Sequence, residues 1–317
     1  MPDRIDISVK GKMIKVPALQ AAGATVVSEG RLLKIGRVFD EYWLERALLP
    51  SYDLLIAELK GRKDRPDIFT FTQRVPDVEP AYSYHSEPDN CAVLSLSTYN
   101  GWMQKTLPPP TRKNIRASIK RGITVRACSY DDDYVRGIMS IYNETPFRAG
   151  GRPFWHFGKD FAAVKAENAT YSERSTYLAA FAGDEMVGYL KMVWDSHTAA
   201  IMQILSKLSA RESRPNNALM AEAVRLCCDR NIKYLLYEKF DYGRKTGDSL
   251  TVFKRNHGFS RMDVPRYYVP LTMRGAVALR LRLHKRLADI VPERMAAPLR
   301  DLRARWYRMA RPVLAPN

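Results

Sequence analysis

Long apolar runs are absent from this 317-residue sequence; nowhere do about 18 uncharged apolar residues follow one another, as a membrane-spanning helix requires. The opening stretch MPDRIDISVKGK has no apolar core of the kind a secretory signal needs. Both absences point to a cytoplasmic address, with peripheral contact at the inner membrane face as the variant worth testing. Cysteine is scarce too. Cys91, Cys128, Cys227 and Cys228 are too few and too scattered for a disulfide framework, and no Cys/His group has zinc spacing, so no metal is expected. The five histidines stand apart from any serine or cysteine that they could activate, which argues against Ser-His-Asp or Cys-His chemistry.

Acidic residues are also under-represented, 34 Asp and Glu against 51 Lys and Arg, and the net charge of +17 speaks to partners rather than to fold. The excess is localised. Residues 273–317 contribute +8, and residues 102–126 hold seven basic residues and no acidic one. Phosphate-rich partners such as tRNA, a nucleotide-linked precursor or an anionic membrane face suit such segments. The composition, 46% apolar, supports an ordinary buried core in one large domain or two smaller ones.

Residues 175–271 carry the clearest pattern. Short β-rich runs at 177–181 and 186–193 flank Gly183-Asp184, a dipeptide suited to a hairpin turn, and 199–205 reads as a third strand. Residues 216–230 place Leu219, Ala223, Leu226 and Cys227 on one helical face, and 232–240 returns as a strand. This order predicts a mixed sheet with a helix laid on it. Upstream, residues 6–35 are strand-rich, 40–60 helical around a break at Pro50, and 68–73 and 91–96 strands separated by a polar loop that contains His85.

Three prolines at 108–110 interrupt regular structure, and a helix is expected over 112–121, ended by Gly122, with Ile115 and Ile119 on one side. Arg112 and Arg116 sit four residues apart on that helix, a spacing at which two guanidinium groups grip phosphate oxygens. Another helix covers 131–144. The segment ETPFRAGGRPFWHFGKD then offers Glu144, Arg148, Arg152, His156 and Lys159 with little periodicity, as ligand-binding loops do, before a short helix at 161–168. Past Pro270 the tail has two helical patterns, the second with Met295, Leu299, Leu302, Trp306 and Met309 as an apolar seam among arginines.

The basic RKNIRASIKRGITVR segment, the helix after it, the IYNET loop and the terminal LTVFKRNHGF together resemble the FemAB-type aminoacyltransferases of the GNAT acyltransferase superfamily. The likeness is good over about residues 90–270 and loose before that. It implies an α+β, mixed α/β fold with a GNAT-like mixed sheet flanked by helices: a reduced N-terminal lobe at 1–126, an acyltransferase lobe at 127–271 and a basic helical tail at 272–317. It also implies N-acyl transfer to an amine of a cell-wall or cell-envelope precursor. The co-substrate would be aminoacyl-tRNA or an acyl thioester, with no tightly bound cofactor.

On this resemblance Lys254 stands where the family has a lysine near the acyl donor, with Asp241 and Glu144 as bases or amine-positioning carboxylates. Arg148, Arg152 and His156 would bind an anionic acceptor. The family's coenzyme A loop, Q/R-x-x-G-x-G/A, has its counterpart at Arg211, Arg214, Asn216 and Asn217, but Arg214 and Asn216 replace the glycines and Pro215 removes a donor. That departure disfavours a pyrophosphate close to the backbone. Two alternatives remain open: an acyl-CoA- or acyl-carrier-protein-dependent enzyme acting on an amino sugar or small amine, and a non-catalytic RNA- or membrane-surface-binding protein on the same scaffold.

Overall fold

The structure is a computed structural model that describes residues 3–9, 12–148, 152–242 and 249–285. Along the chain come β1 (Asp3–Val9), β2 (Lys12–Ala21), β3 (Ala24–Glu29), β4 (Ile35–Val38), α1 (Tyr52–Gly61) and β5 (Ile68–Thr72). β6 (His85–Ser95), α2 (Tyr99–Gly101), α3 (Pro109–Lys120), β7 (Ile123–Cys128) and α4 (Asp132–Tyr142) follow. A small hairpin, β8 (Phe147–Arg148) and β9 (Arg152–Pro153), precedes α5 (Phe161–Asn168). Then come β10 (Ser175–Ala182), β11 (Glu185–Trp194), β12 (Thr198–Ser206), α6 (Pro215–Asp229), β13 (Tyr234–Leu236), α7 (Ser249–Asn256), β14 (Ser260–Pro270) and α8 (Met273–Arg280).

The described chain forms two compact units. One comprises residues up to Asn90 with those from Met262 onward, the other Cys91–Arg261. The division read from the sequence at 126/127 falls inside β7, which pairs with β10 from Ile123 to Cys128. The basic tail beyond residue 285, including the seam from Met295 to Met309, lies outside the described residues.

In the first unit the strand order is β1-β2-β3-β4-β5-β14, with β4 and β5 parallel. Leu55, Ile56 and Leu59 of α1 are buried with Val26, Val38, Phe69, Phe71 and Tyr267. In the second unit the order is β6-β13-β12-β11-β10-β7, a mixed sheet in which β12 and β13 run parallel. Its strands are covered on both faces, and the period-two alternation of side chains sorts them. Leu178, Ala180, Leu190, Met192 and Trp194 pack with Leu219, Ala223 and Cys227 of α6 and with Ile115 and Trp102. Tyr177, Ala179 and Tyr189 point the other way, into Tyr134, Val135, Ile138 and Ile141 of α4.

Several local expectations change. β6 begins at His85, so the supposed polar loop is partly strand. β13 spans only three residues of the predicted nine. The prolines do not merely interrupt: Pro109 and Pro110 form the first turn of α3, where a missing N–H costs no helical hydrogen bond. Ile119 is 65% exposed, and the inner side of α3 is Thr111, Ile115 and Ser118. Gly258 is required twice over. Its φ is +87°, and a Cβ there would lie 2.6 Å from the Thr106 methyl.

These burials make a direct comparison. Leu190→Ala, at a fully buried position, is expected to cost about 2–5 kcal/mol of unfolding free energy. Ile119→Ala should stay within about 0.5 kcal/mol of wild type. Urea unfolding followed by circular dichroism measures both.

Candidate active site

The parallel strands β12 and β13 are paired only at Thr198–Ala200 against Tyr234–Leu236, although β12 continues to Ser206. The two strands therefore part company beyond Ala200. On its other edge β12 has a register shift, with Lys191 opposite Gln203 but Met192 opposite Ile201, so that Met202 is an extra residue. A bulge of this kind bends a strand and re-aims its side chains. An opening at the carboxyl ends of parallel strands is where α/β sheets commonly take ligands.

Tyrosines, a glutamine and a histidine gather beside this half of β12. The Tyr142 and Tyr189 hydroxyls are 2.8 Å apart, and the Gln203 Nε2 lies 3.1 Å from the Tyr142 oxygen. Burial raises the pKa of both phenols, so they remain protonated donors. The His156 ring rests on Tyr142 with centroids 4.4 Å apart. Burial, with help from the charge of Lys159, pushes the His156 pKa down to about 4, against the opposing pull of Glu167. Lys159 forms an ion pair with Glu167 and places its Nζ 3.4 Å from His156 Nδ1. An ammonium has only protons to offer, so Nδ1 accepts and Nε2 carries the proton of a neutral imidazole. Nearby on β11, Lys191 is buried and donates to the Asn168 carbonyl at 2.9 Å and to Thr170; burial lowers its pKa to about 8, with Glu173 opposing.

The turn from β12 into α6 is closed from within. Glu144, two residues past α4, accepts the Leu208 N–H at 2.5 Å and the Ser209 N–H at 2.8 Å. Burial works to raise its pKa, but the hydrogen bonds from Ser209 and Leu208 and the charge of Arg148 outweigh it and the carboxyl is held below its usual range. Glu144 is therefore a clamped anion rather than a free base. Arg148 is similarly committed, donating to the carbonyls of Ser206 at 3.0 Å and Ile141 at 3.2 Å, with its guanidinium 4.2 Å from the centre of the Phe154 ring. Arg148 thus braces β12 against α4, and its Nε has no partner among the described residues.

Arg211 opens a 3-10 turn that ends at Ser213, Arg214 adopts a left-handed conformation at φ +59°, and Pro215 begins α6. A non-glycine residue at that φ is strained, and its side chain stands where the coenzyme A loop has glycine. The Asn217 N–H is used by the Arg214 carbonyl at 3.0 Å, while Asn216 Oδ1 is buried and has no partner among the described residues. Arg121, at the end of α3, donates to the Glu212 carbonyl in the same turn. Arg112 donates to the Gln104 carbonyl at 2.5 Å, and Arg116 is exposed. For Arg152 only the backbone, paired with Arg148, is described.

Lys254 and Asp241 belong to a second constellation, around the segment after β13. Lys254 is fully buried on α7 and gives its ammonium to the Lys239 carbonyl at 2.6 Å, with the Tyr237 and Tyr242 ring centres at 4.4 and 4.9 Å. Asp241 lies 3.3 Å from the Arg261 guanidinium. Members of both constellations are thus recognisable in the sequence. Tyr142, Tyr189, Gln203 and Glu167 are not, because their only local signal is a polar or hydroxyl-bearing group on an otherwise buried face.

Residues 110–255 match the family described as Acetyltransferase (GNAT) domain, a span that contains both constellations. Residues 110–255 are thus a GNAT acyltransferase domain. Among solved structures it is similar to FemX, with a TM-score of 0.54 and 10% identity over 88% of this chain and 90% of that one. It is also similar to the C-terminal domain assigned to a lysylphosphatidylglycerol synthetase of Agrobacterium fabrum, with a TM-score of 0.53 and 11% identity over 84% and 87%. L-PGS from Bacillus licheniformis gives 0.51 and 12% over 86% and 90%. No protein of curated function matches it in sequence. In GNAT terms the parting of β12 and β13 lies in the acyltransferase domain itself, and the turn that Glu144 closes is the one that follows the central strand. No helix among the described residues is long and apolar enough to cross a membrane.

Two pH effects follow for this acyltransferase. Its folded state prefers neutral His156, so that contribution to stability is complete above the ordinary histidine pKa of 6.5 and is lost as pH falls from there towards about 4. NMR titration should show the His156 ring still neutral at pH 5.5. Glu144 adds stability above the ordinary carboxylate pKa that is lost as pH falls through its lowered value. Denaturant midpoints measured between pH 3 and 7 should accordingly fall less steeply with acid in Glu144→Gln than in wild type.

Proposed function

We propose that this acyltransferase is an aminoacyltransferase: it takes an aminoacyl group from charged tRNA and delivers it to an amine of a cell-envelope precursor. The observation that carries this reading is the clamp on the turn after β12. Two of its backbone N–H groups already hold the Glu144 carboxylate, and Arg214 and Pro215 follow. A coenzyme A pyrophosphate brought there would meet a fixed negative charge and a side chain in place of glycine. A tRNA donor presents its ester at the end of a long polyanion whose phosphates need no such cradle. Lys113, Arg116, Lys120 and Arg121 are exposed on or just after α3, and Arg121 touches the same turn, so a basic surface adjoins it. The lysyl group in the name of one similar structure is a second, weaker support.

In this reading the acceptor amine attacks the ester carbonyl, the new C–N bond forms as the ester C–O bond breaks, and the amine's proton passes to the departing ribose oxygen. Neutral His156 offers an N–H to the carbonyl oxygen or the acceptor without adding a charge. Lys254 supplies positive charge beside the leaving oxygen, as the family resemblance implies. Asp241 orients the incoming amine.

The test uses the purified full chain with charged tRNA, or with acyl-CoA, and an amine-bearing envelope precursor. Transfer from charged tRNA and no thermal shift with coenzyme A thioesters is expected. Transfer from a thioester with none from charged tRNA would reverse the assignment. Lys254→Ala and His156→Ala should each lower kcat/KM for the tRNA reaction by about 10²-fold or more, with the unfolding midpoint used to separate lost chemistry from lost fold.

A further inference from the structure

His85 and Glu87 are two residues apart on β6 and so project from the same face of the strand. His284, which follows α8, meets them from the far end of the described chain. His284 Nε2 lies 3.1 Å from Glu87 Oε1, His85 Nε2 lies 3.4 Å from the same oxygen, and the three ligand atoms all fall within 4.8 Å of one another. Ligands about 2.0–2.1 Å from a tetrahedral zinc ion stand about 3.3–3.4 Å apart, so the trio needs only small side-chain movement to enclose one. We infer that His85, Glu87 and His284 form a divalent-metal site, for zinc or another first-row ion that favours imidazole and carboxylate donors.

Three further features support it. Lys285 Nζ is 3.0 Å from the same Glu87 oxygen, which shows that the position already holds a positive charge; a metal would displace it. His284 is 8% exposed, its ring packs on Tyr268 with centroids 4.6 Å apart, and its Nδ1 has no partner among the described residues, a costly burial for an imidazole nitrogen. His85, Glu87 and Lys285 border a cavity of about 460 Å³ with Leu279, Arg280 and Arg282 on its wall, space for a water or a small anion as fourth ligand. This site lies in the other compact unit from Lys254 and His156 and is independent of the aminoacyl-transfer reading.

The experiment is zinc titration of the chelator-stripped full chain against a chromophoric competitor, with X-ray absorption on the loaded protein. One ion per chain is expected, with nitrogen and oxygen but no sulfur in its shell, which separates this site from any of the four cysteines. His85→Ala and Glu87→Gln should each weaken binding by at least 10-fold, and Lys285→Gln should tighten it, because the competing ammonium is gone. His85 is half exposed, so its replacement tests the site even if His284→Ala fails to fold. Absence of binding at micromolar zinc, a sulfur-containing shell, or affinity unchanged in His85→Ala and Glu87→Gln would overturn the inference.

Discussion

Two hydrogen bonds from the backbone of Leu208 and Ser209 to the Glu144 carboxylate hold the candidate active site in its present form. Each is charge-assisted, and each satisfies an N–H in a turn between strand and helix. Because Glu144 follows α4, the pair ties the helix on one face of the sheet to the turn that starts α6 on the other. Arg148 completes the link through the carbonyls of Ser206 and Ile141. The chain has in effect supplied its own anion at a turn that, with glycines, would suit an external phosphate.

Around that clasp the chemistry is arranged by burial more than by charge. His156 is neutral because its ring is packed against Tyr142 and Phe154 and because Lys159 stands beside it. Tyr142 and Tyr189 keep their protons for the same reason. Such a set of uncharged donors suits a reaction in which negative charge develops on a carbonyl oxygen. Lys254 contributes a cation enclosed by two aromatic rings, a setting that limits where its charge can be felt.

Much of the fold was legible along the chain. The hairpin at Gly183-Asp184, the long strand β12 and helix α6 each announce themselves by period and turn chemistry, which depend on neighbours in sequence. The errors arose where tertiary context overruled local pattern. The buried side of α3 is Thr111, Ile115 and Ser118, while Ile119, on the same side of the helix as Ile115 by spacing, is exposed. β13 is short because its parallel partner diverges after Ala200, a matter of sheet geometry and not of β propensity. Glu144 and Arg148 were recognisable as polar groups in an aperiodic stretch, but nothing in their sequence neighbourhood reveals that backbone groups at 206, 208 and 209 would claim them.

The amino-acid sequence by itself determined the family resemblance, the basic surface of α3, the loss of glycine at Arg214 and Asn216, and the residues from which a site could be drawn. These are properties of composition and short-range order, and they survive without coordinates. The tertiary structure alone decided which of those residues are free and which are spent. It placed His156 on Tyr142 and Glu144 on the turn after β12, and it brought His85 and Glu87 to His284 across almost two hundred residues of chain. Hydrogen bonds and ion pairs of that kind act over about 3 Å in space, whatever the separation in sequence, so only the folded chain could choose among the partners that the sequence allowed.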